Sequence, residues 1–139
     1  DILASTHQDL DFILPIHPNP AVKKHQHLLK HVKVVDPVPY EQFTKMLAAC
    51  RFAITDSGGL QEELSFFGKL CIVCRKETER IMGLGKFAYL CHEPKDLEVL
   101  FDKVSSAYDS VIGSPSPYGD GRSAERILKL IKDGYVTGI

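Results

Sequence analysis

Short apolar runs alternate with longer amphipathic segments along this chain, and that alternation limits the folds it can form. The apolar runs are residues 12–16, 32–35, 52–55, 70–74 and 87–90. Parallel strands are covered by helices on both faces, so they read as continuous apolar runs rather than alternating ones. The pattern therefore predicts an α/β protein with a parallel sheet flanked by helices.

Helical spacing or helix-end signals mark the segments between the runs: 20–30, 40–50, 61–67, 95–108 and 123–131. In the second segment, apolar side chains recur from Phe43 at the i, i+3, i+4 and i+7 spacing of one helix face. We expect the third helix to end at Gly68, in a left-handed cap. Residues 112–121 are rich in Ser, Pro and Gly, which predicts an ordered loop between the last two helices.

Length and charge limit the possible functions. The 139 residues, 44% of them apolar, suffice for one domain over 1–139 with an ordinary core but not for two. Seventeen basic and 18 acidic residues give a net charge of -1, which argues against nucleic-acid or membrane partners. No apolar run approaches the roughly 18 to 20 residues of a membrane span, and no signal-peptide pattern opens the chain. We predict a soluble, cytoplasmic domain, and its first residue, Asp1, predicts a longer parent chain.

Cysteine and histidine patterns do not favour a metal or redox site. The four cysteines are predicted to be buried thiols, because disulfides are rare in a cytosolic chain. Cys71 and Cys74 lie three positions apart in a predicted strand and so point to opposite faces, as expected for core packing. On a helix, His27 and His31 would share a face while His25 points elsewhere, which favours a solvated face over a zinc site that also includes His17.

The ten residues ITDSGGLQEE, at 54–63, change from apolar to small and then to acidic. They place a strand-to-helix turn at the carboxyl edge of the sheet, where open α/β sheets bind ligands. Gly58 and Gly59 remove side chains that would keep a ligand from the backbone, and amides at a helix start carry partial positive charge. With the Ser57 hydroxyl as a further donor, the turn predicts a seat for phosphate.

Two adjacent carboxylates, Glu62 and Glu63, follow one turn into the helix. A carboxylate can accept neighbouring hydroxyls such as a ribose diol in bidentate fashion. The stretch therefore predicts a nucleotide, with its diphosphate on the turn and its ribose on one glutamate. The structural alternative is a helix cap, with Ser57 capping and the acids favouring the helix dipole. The local sequence leaves both interpretations open.

Short motifs in a fixed order narrow that choice. They are PIHPNP at 15–20, DPVPY at 36–40, DSGGLQEE at 56–63, GK at 68–69, R..TER at 75–80 and SPYGDGRSAER at 116–126. In these motifs and their order, over most of its length, the chain resembles the C-terminal domain of the UDP-N-acetylglucosamine 2-epimerase family. The resemblance implies one half of a glycosyltransferase-B-like fold, in which two Rossmann-type domains face each other and the C-terminal one holds UDP.

The resemblance also implies site residues and agrees with the chemistry of the turn. It implies that Ser57, Gly58, Gly59 and Arg80 bind the diphosphate and that Glu63 binds the ribose hydroxyls. The backbone of Val38, Pro39 and Tyr40 would contact the uracil edge. Arg75, like Arg80, follows a strand end at the ligand edge, and we expect at least one of these arginines to meet phosphate. For His17, just past a strand end, loop structure and a substrate-side contact are both open.

The family's chemistry removes the proton at C2 of the sugar, expels UDP to leave a glycal, and returns UDP to the other face. Its acids and bases lie mostly in the N-terminal domain, so the resemblance implies a fragment that binds UDP or a UDP-N-acetyl-hexosamine without catalytic residues of its own. Its expected partners are the parent's N-terminal domain and a second copy of the parent. Neither a metal nor a redox cofactor is expected.

Two other functions stay open from the sequence, and one departure bears on activity. The alternatives are a non-catalytic UDP-sugar-binding or regulatory module and the donor-binding half of a glycosyltransferase. After Thr78-Glu79-Arg80 the family usually continues Pro-Glu, whereas this chain has Ile81 and Met82. We therefore expect a reshaped loop beside the phosphate.

Overall fold

The computed structural model describes residues 1–134 and divides the chain into two compact units. The first unit is Asp1–Met46, and the second begins at Leu47. The predicted single domain extends to Ile139, so its last part, residues 135–139, lies outside the described residues. That domain assignment stays a prediction.

The first unit contains a two-stranded parallel sheet. Its elements are α1 (Ile2–Thr6), β1 (Ile13–Pro15), α2 (Pro20–Lys23), a 3-10 turn (Gln26–Leu28), β2 (Lys33–Val35) and most of α3 (Tyr40–Ala49). Strands β1 and β2 run parallel, with Ile13 opposite Lys33. Both strands fall within predicted apolar runs, but Ile13 and Leu14 are exposed rather than buried.

The helix predicted over 20–30 is wrong beyond its first turn. Asn19 caps α2 by accepting a hydrogen bond from the Ala21 amide at 2.9 Å, and Pro20 occupies the first helical position. The helix nevertheless ends at Lys23. Neither α2 nor the following 3-10 turn buries a residue. A short helix that packs no apolar face is marginal in water, which accounts for the early end.

The second unit contains a three-stranded parallel sheet in the order β3-β4-β5. Its elements are β3 (Ala53–Thr55), α4 (Gly58–Phe66), β4 (Cys71–Val73), β5 (Ala88–Leu90), α5 (Leu97–Ala107) and α6 (Ser123–Lys132), with 3-10 turns at Ile81–Gly83 and Pro94–Asp96. All three residues of the central strand β4 are buried, as a strand covered on both faces should be. The predicted parallel strands flanked by helices are confirmed, and their hydrogen bonds form one sheet in each unit.

The core of the second unit forms around β4. Its buried apolar side chains include Leu64, Leu70, Ile72, Phe87, Phe101 and Val104. Helix α4 ends as predicted: Gly68 has a φ of 64°, and the Lys69 amide donates to the Leu64 carbonyl at 2.8 Å. Within residues 1–134, no helix combines the length and hydrophobicity needed to cross a membrane.

The four cysteines are free thiols in different environments. Cys71 and Cys91 are buried, and burial raises the pKa of the Cys71 thiol to about 12. Cys50 is half-buried and Cys74 is exposed, so the prediction of buried thiols is wrong for Cys74. The reason is the strand boundary: the buried strand β4 ends at Val73, so Cys74 lies just beyond it.

The turn at 118–121 docks to the last described helix. Asp120 accepts hydrogen bonds from both Nη atoms of Arg126, at 2.7 and 2.8 Å, and from the Arg122 amide at 3.1 Å. The Arg126 guanidinium, followed by the Arg122 amide, holds the pKa of the Asp120 carboxyl well below its usual range. The turn is therefore anchored to α6 by charge-assisted hydrogen bonds.

Candidate functional site

The glycine-rich turn leads directly from β3 into α4. Ser57 has extended backbone angles and precedes the helix, and its amide donates to Oγ1 of Thr55 at 3.0 Å. The helix begins at Gly58, three residues before the predicted start at 61. Both glycines therefore lie in the first turn of α4, where amide groups lack partners within the helix.

The capping interpretation of this stretch does not describe the structure. The Ser57 side chain makes no capping hydrogen bond to α4, and the first turn of the helix contains no acidic residue. Instead the Ser57 Oγ lies 4.0 Å from where a Cβ at Gly59 would be. The hydroxyl thus stands beside the helix start without serving as its cap, which suits a donor to a bound anion.

The two neighbouring glutamates have different environments. Oε1 of Glu62 accepts a hydrogen bond from Nε of Arg80 at 2.6 Å. Oε2 of Glu63 is buried and has no hydrogen-bond partner among the described residues. A buried polar atom without a partner is costly, and native structures contain few such atoms. The structure therefore separates a glutamate that pairs with Arg80 from one whose buried Oε2 has no hydrogen-bond partner among the described residues.

Arg75 and Arg80 converge on a third glutamate. Nη1 of Arg75 donates to Oε2 of Glu79 at 3.2 Å, and Nη1 of Arg80 donates to Oε1 of Glu79 at 2.9 Å. About one third of each arginine side chain is exposed, 36% and 34% respectively. Arg75 and Arg80 are thus brought to one place, where both pair with the carboxylate of Glu79.

Glu79 also touches the glycine-rich turn. A Cβ at Gly58 would lie 2.7 Å from Oε1 of Glu79 and 3.7 Å from Nη1 of Arg75. A side chain at position 58 would therefore force this exposed carboxylate to shift. The backbone amide of Glu79 lowers the pKa of its carboxyl, and the charges of Arg75 and Arg80 add to that effect. The structure brings together the helix start and both arginines around one carboxylate.

Three residues without a predicted role hold the Arg80 segment in place. Gln61, which is 1% exposed, exchanges hydrogen bonds with the Thr78 hydroxyl, and that hydroxyl accepts from the Arg80 amide at 3.1 Å. The Tyr118 hydroxyl donates to the Arg80 carbonyl at 2.8 Å and accepts from the Gly83 amide at 3.1 Å. The sequence motifs include these residues. Their contacts could not be predicted from those motifs, because they join segments that are distant along the chain.

The predicted uracil loop lies in the first unit and opens α3. The carbonyl of Pro39 accepts hydrogen bonds from the amides of Gln42 and Phe43, both at 2.9 Å. This carbonyl is therefore hydrogen-bonded to the start of α3. Val38 is half-buried and Tyr40 is exposed. The uracil role of Val38, Pro39 and Tyr40 stays a prediction.

Three histidines of the first unit make hydrogen bonds within that unit. Nδ1 of His17, an exposed residue, accepts from the Asn19 amide at 3.2 Å, which is a loop contact. Nδ1 of His27 lies 2.8 Å from the Lys24 carbonyl, and Nδ1 of His31 lies 2.9 Å from the Asp1 carboxylate. Residues 1–134 contain no group of three or more His, Cys, Asp or Glu side chains placed to hold a metal.

Parallel strands flanked by helices, with a glycine-rich turn at the carboxyl end of β3, define a Rossmann-like α/β fold. A family model described as UDP-N-acetylglucosamine 2-epimerase matches residues 1–132. The chain is 33% identical to that enzyme of Campylobacter jejuni over 143 residues, covering 96% of this chain and 37% of the relative. It is 32% identical to that of Escherichia coli, covering 97% and 38%.

Solved structures of similar fold point to the same family. A Staphylococcus aureus protein in complex with UDP superimposes with a TM-score of 0.85 and 27% identity, over 96% of this chain and 38% of that one. The UDP-GlcNAc 2-epimerase of Neisseria meningitidis, solved with UDP-GlcNAc, gives a TM-score of 0.77 and 26% identity, over 95% and 38%. The chain belongs to the UDP-N-acetylglucosamine 2-epimerase family. It spans 37% or 38% of the length of these relatives.

Proposed function

We propose that this chain is the UDP-binding part of a UDP-sugar 2-epimerase. The observation that carries the proposal is the buried, unpartnered Oε2 of Glu63 on the helix that begins at the glycine-rich turn. If the Glu63 side chain turns to expose this oxygen, a ribose diol would give it the donor that it lacks. Relatives solved with UDP and with UDP-GlcNAc support a ligand of this class.

The binding mode that we propose uses the first turn of α4 as an anion seat. The amides of Gly58 and Gly59 would meet the diphosphate, with the Ser57 hydroxyl as a further donor. Arg75 and Arg80 would neutralise its charge, Arg80 from a segment held by Gln61 and Tyr118. The ribose would lie on Glu63, and uracil on the backbone of 38–40, as the family resemblance implies.

The same groups would assist the reaction of the parent enzyme. In the chemistry that the family implies, the C–O bond to UDP breaks and the diphosphate gains negative charge. Preorganised amides and arginines stabilise the charge that develops in the transition state more than the charge of the ground state, which lowers the activation barrier of the reaction. The groups that move the C2 proton would come from the rest of the parent, which we propose works in the cytoplasm. For this chain alone we predict binding without turnover.

The first test is a titration of the ¹⁵N-labelled chain with UDP, followed by amide NMR. We expect shifts concentrated at residues 57–63 and 75–80, with smaller shifts at 38–40, because those backbone groups are proposed to meet the nucleotide. ADP is the matched control, since it carries the same ribose and diphosphate but not uracil, and should bind more weakly. Millimolar UDP without shifts at 57–63 would contradict the proposed function.

A Ser57→Ala variant tests the diphosphate role separately. The hydroxyl makes no capping bond, so we expect the helix and the stability of the fold to be unchanged. One hydrogen bond to a charged group contributes about 1.5 kcal/mol, so the affinity for UDP should fall roughly tenfold. The affinity for UMP should fall less, and that for uridine should not change. Isothermal titration with the three ligands measures the difference, and an equal loss for all three would assign Ser57 a structural role.

A further inference from the structure

The proposed diphosphate seat already contains an anion, the carboxylate of Glu79. Its Oε1 lies 2.7 Å from where a Cβ at Gly58 would be, so the carboxylate rests against the first residue of α4. Its two oxygens accept hydrogen bonds from Arg80 and Arg75 at 2.9 and 3.2 Å. These are the groups that the proposed function gives to the diphosphate.

We propose that Glu79 is an internal competitor for the diphosphate seat and thereby sets how strongly the chain prefers UDP to uridine. This inference rests on the proposed function. A phosphate that reaches Gly58 and both arginines must first displace the carboxylate, because two anions cannot share the same donors. Uridine has no phosphate and leaves Glu79 undisturbed. Glu79 therefore reduces the affinity for UDP selectively.

The structure makes this displacement feasible. The Glu79 side chain is 53% exposed, so it can swing into solvent without opening the core. Arg80 keeps a second partner in Glu62, at 2.6 Å, and its backbone keeps the Thr78 and Tyr118 hydrogen bonds. The guanidinium would therefore remain near the seat when Glu79 leaves. Gly58 contributes by having no side chain, which lets either anion approach the backbone.

The test compares Glu79→Gln with the wild-type chain. The variant keeps the shape of the side chain and removes the charge that binds the arginines. When a ligand binds only the open state of a site, its apparent affinity is reduced by the fraction of molecules in that state. Removing the Glu79 charge should raise the open fraction, so UDP binding should tighten by roughly 3- to 10-fold. The affinity for uridine should not change. Isothermal titration with both ligands, and amide shifts where binding is weak, provide the dissociation constants.

Glu77→Gln is the matched control, because Glu77 is an exposed acid in the same segment. It should leave the affinity for UDP within about twofold of wild type, as a surface charge screened by salt would. Equal tightening by both variants, or weaker UDP binding in Glu79→Gln, would overturn the inference while leaving the proposed function intact. If UDP shifts the amide resonances of residues 57–63 neither in wild type nor in any variant, the proposed function fails and the inference fails with it.

Discussion

Replacing Glu63 with alanine should weaken binding of both UDP and uridine by about 100-fold while leaving the fold intact. Two hydrogen bonds from a ribose diol to a charged carboxylate contribute about 3 kcal/mol, and the substitution removes both. Because Oε2 of Glu63 is buried without a partner, its removal should not lower the free energy of unfolding. Isothermal titration and urea unfolding measure the two quantities on the same preparation.

The neighbouring glutamate provides the control for this prediction. Glu62 pairs with Arg80, so Glu62→Ala should change the affinity for UDP through the phosphate side and leave uridine binding unchanged. A 2′,3′-dideoxy analogue of UDP should bind wild type and Glu63→Ala equally, because it has no diol. If Glu62→Ala, rather than Glu63→Ala, abolished uridine binding, the ribose role would belong to Glu62.

The strands were predictable because their signal is local. A continuous apolar run at 70–74 marks a strand covered on both faces, and β4 occupies the middle of that run with all three residues buried. The division into two sheets was not predictable in the same way. Hydrogen bonding between strands depends on which runs become neighbours, and the composition of a run does not encode its neighbour.

Helix prediction succeeded for α3 and α6 and failed beyond the first turn of α2. The segment at 40–50 forms α3 and buries Leu47. The segment at 20–30 has capping signals but no buried residue in α2, and its helix stops after one turn. A buried face supports the length of α3, whereas α6 reaches ten residues with none buried.

The residues of the candidate site were predicted from two sequence signals, and their roles stay predictions. The local sequence allowed Ser57, Gly58 and Gly59 to be either a phosphate seat or a helix cap, and the family resemblance favoured the seat and pointed to Glu63 over Glu62. The position of Glu79 against Gly58 could not be read in this way, because it depends on how the segment after β4 folds over the start of α4. Contacts between segments distant along the chain are set by tertiary packing, so they lie beyond a local pattern.

The largest expected loss of stability comes from Phe101→Ala. Phe101 is 0% exposed on α5, and its ring meets that of Phe52 edge to face, with centroids 5.3 Å apart. Removing a buried phenyl ring costs about 3 to 5 kcal/mol, because apolar contacts are lost and a cavity remains. A small domain has about 5 to 15 kcal/mol of stability in total. Urea unfolding followed by circular dichroism should show the transition moved to much lower urea.

Val99→Ala on the same helix is the matched control, since Val99 is 71% exposed and should change the free energy of unfolding by less than about 0.5 kcal/mol. A loss below about 1 kcal/mol in Phe101→Ala would contradict the packing described for α5.

The Phe101→Ala variant also allows UDP binding to be measured through its effect on stability. If UDP binds only the folded chain, UDP at 100 times its dissociation constant should restore about 2.7 kcal/mol to the destabilised variant. That recovery requires the seat to remain intact in the folded molecules, because the substitution lowers their number without changing the residues that bind.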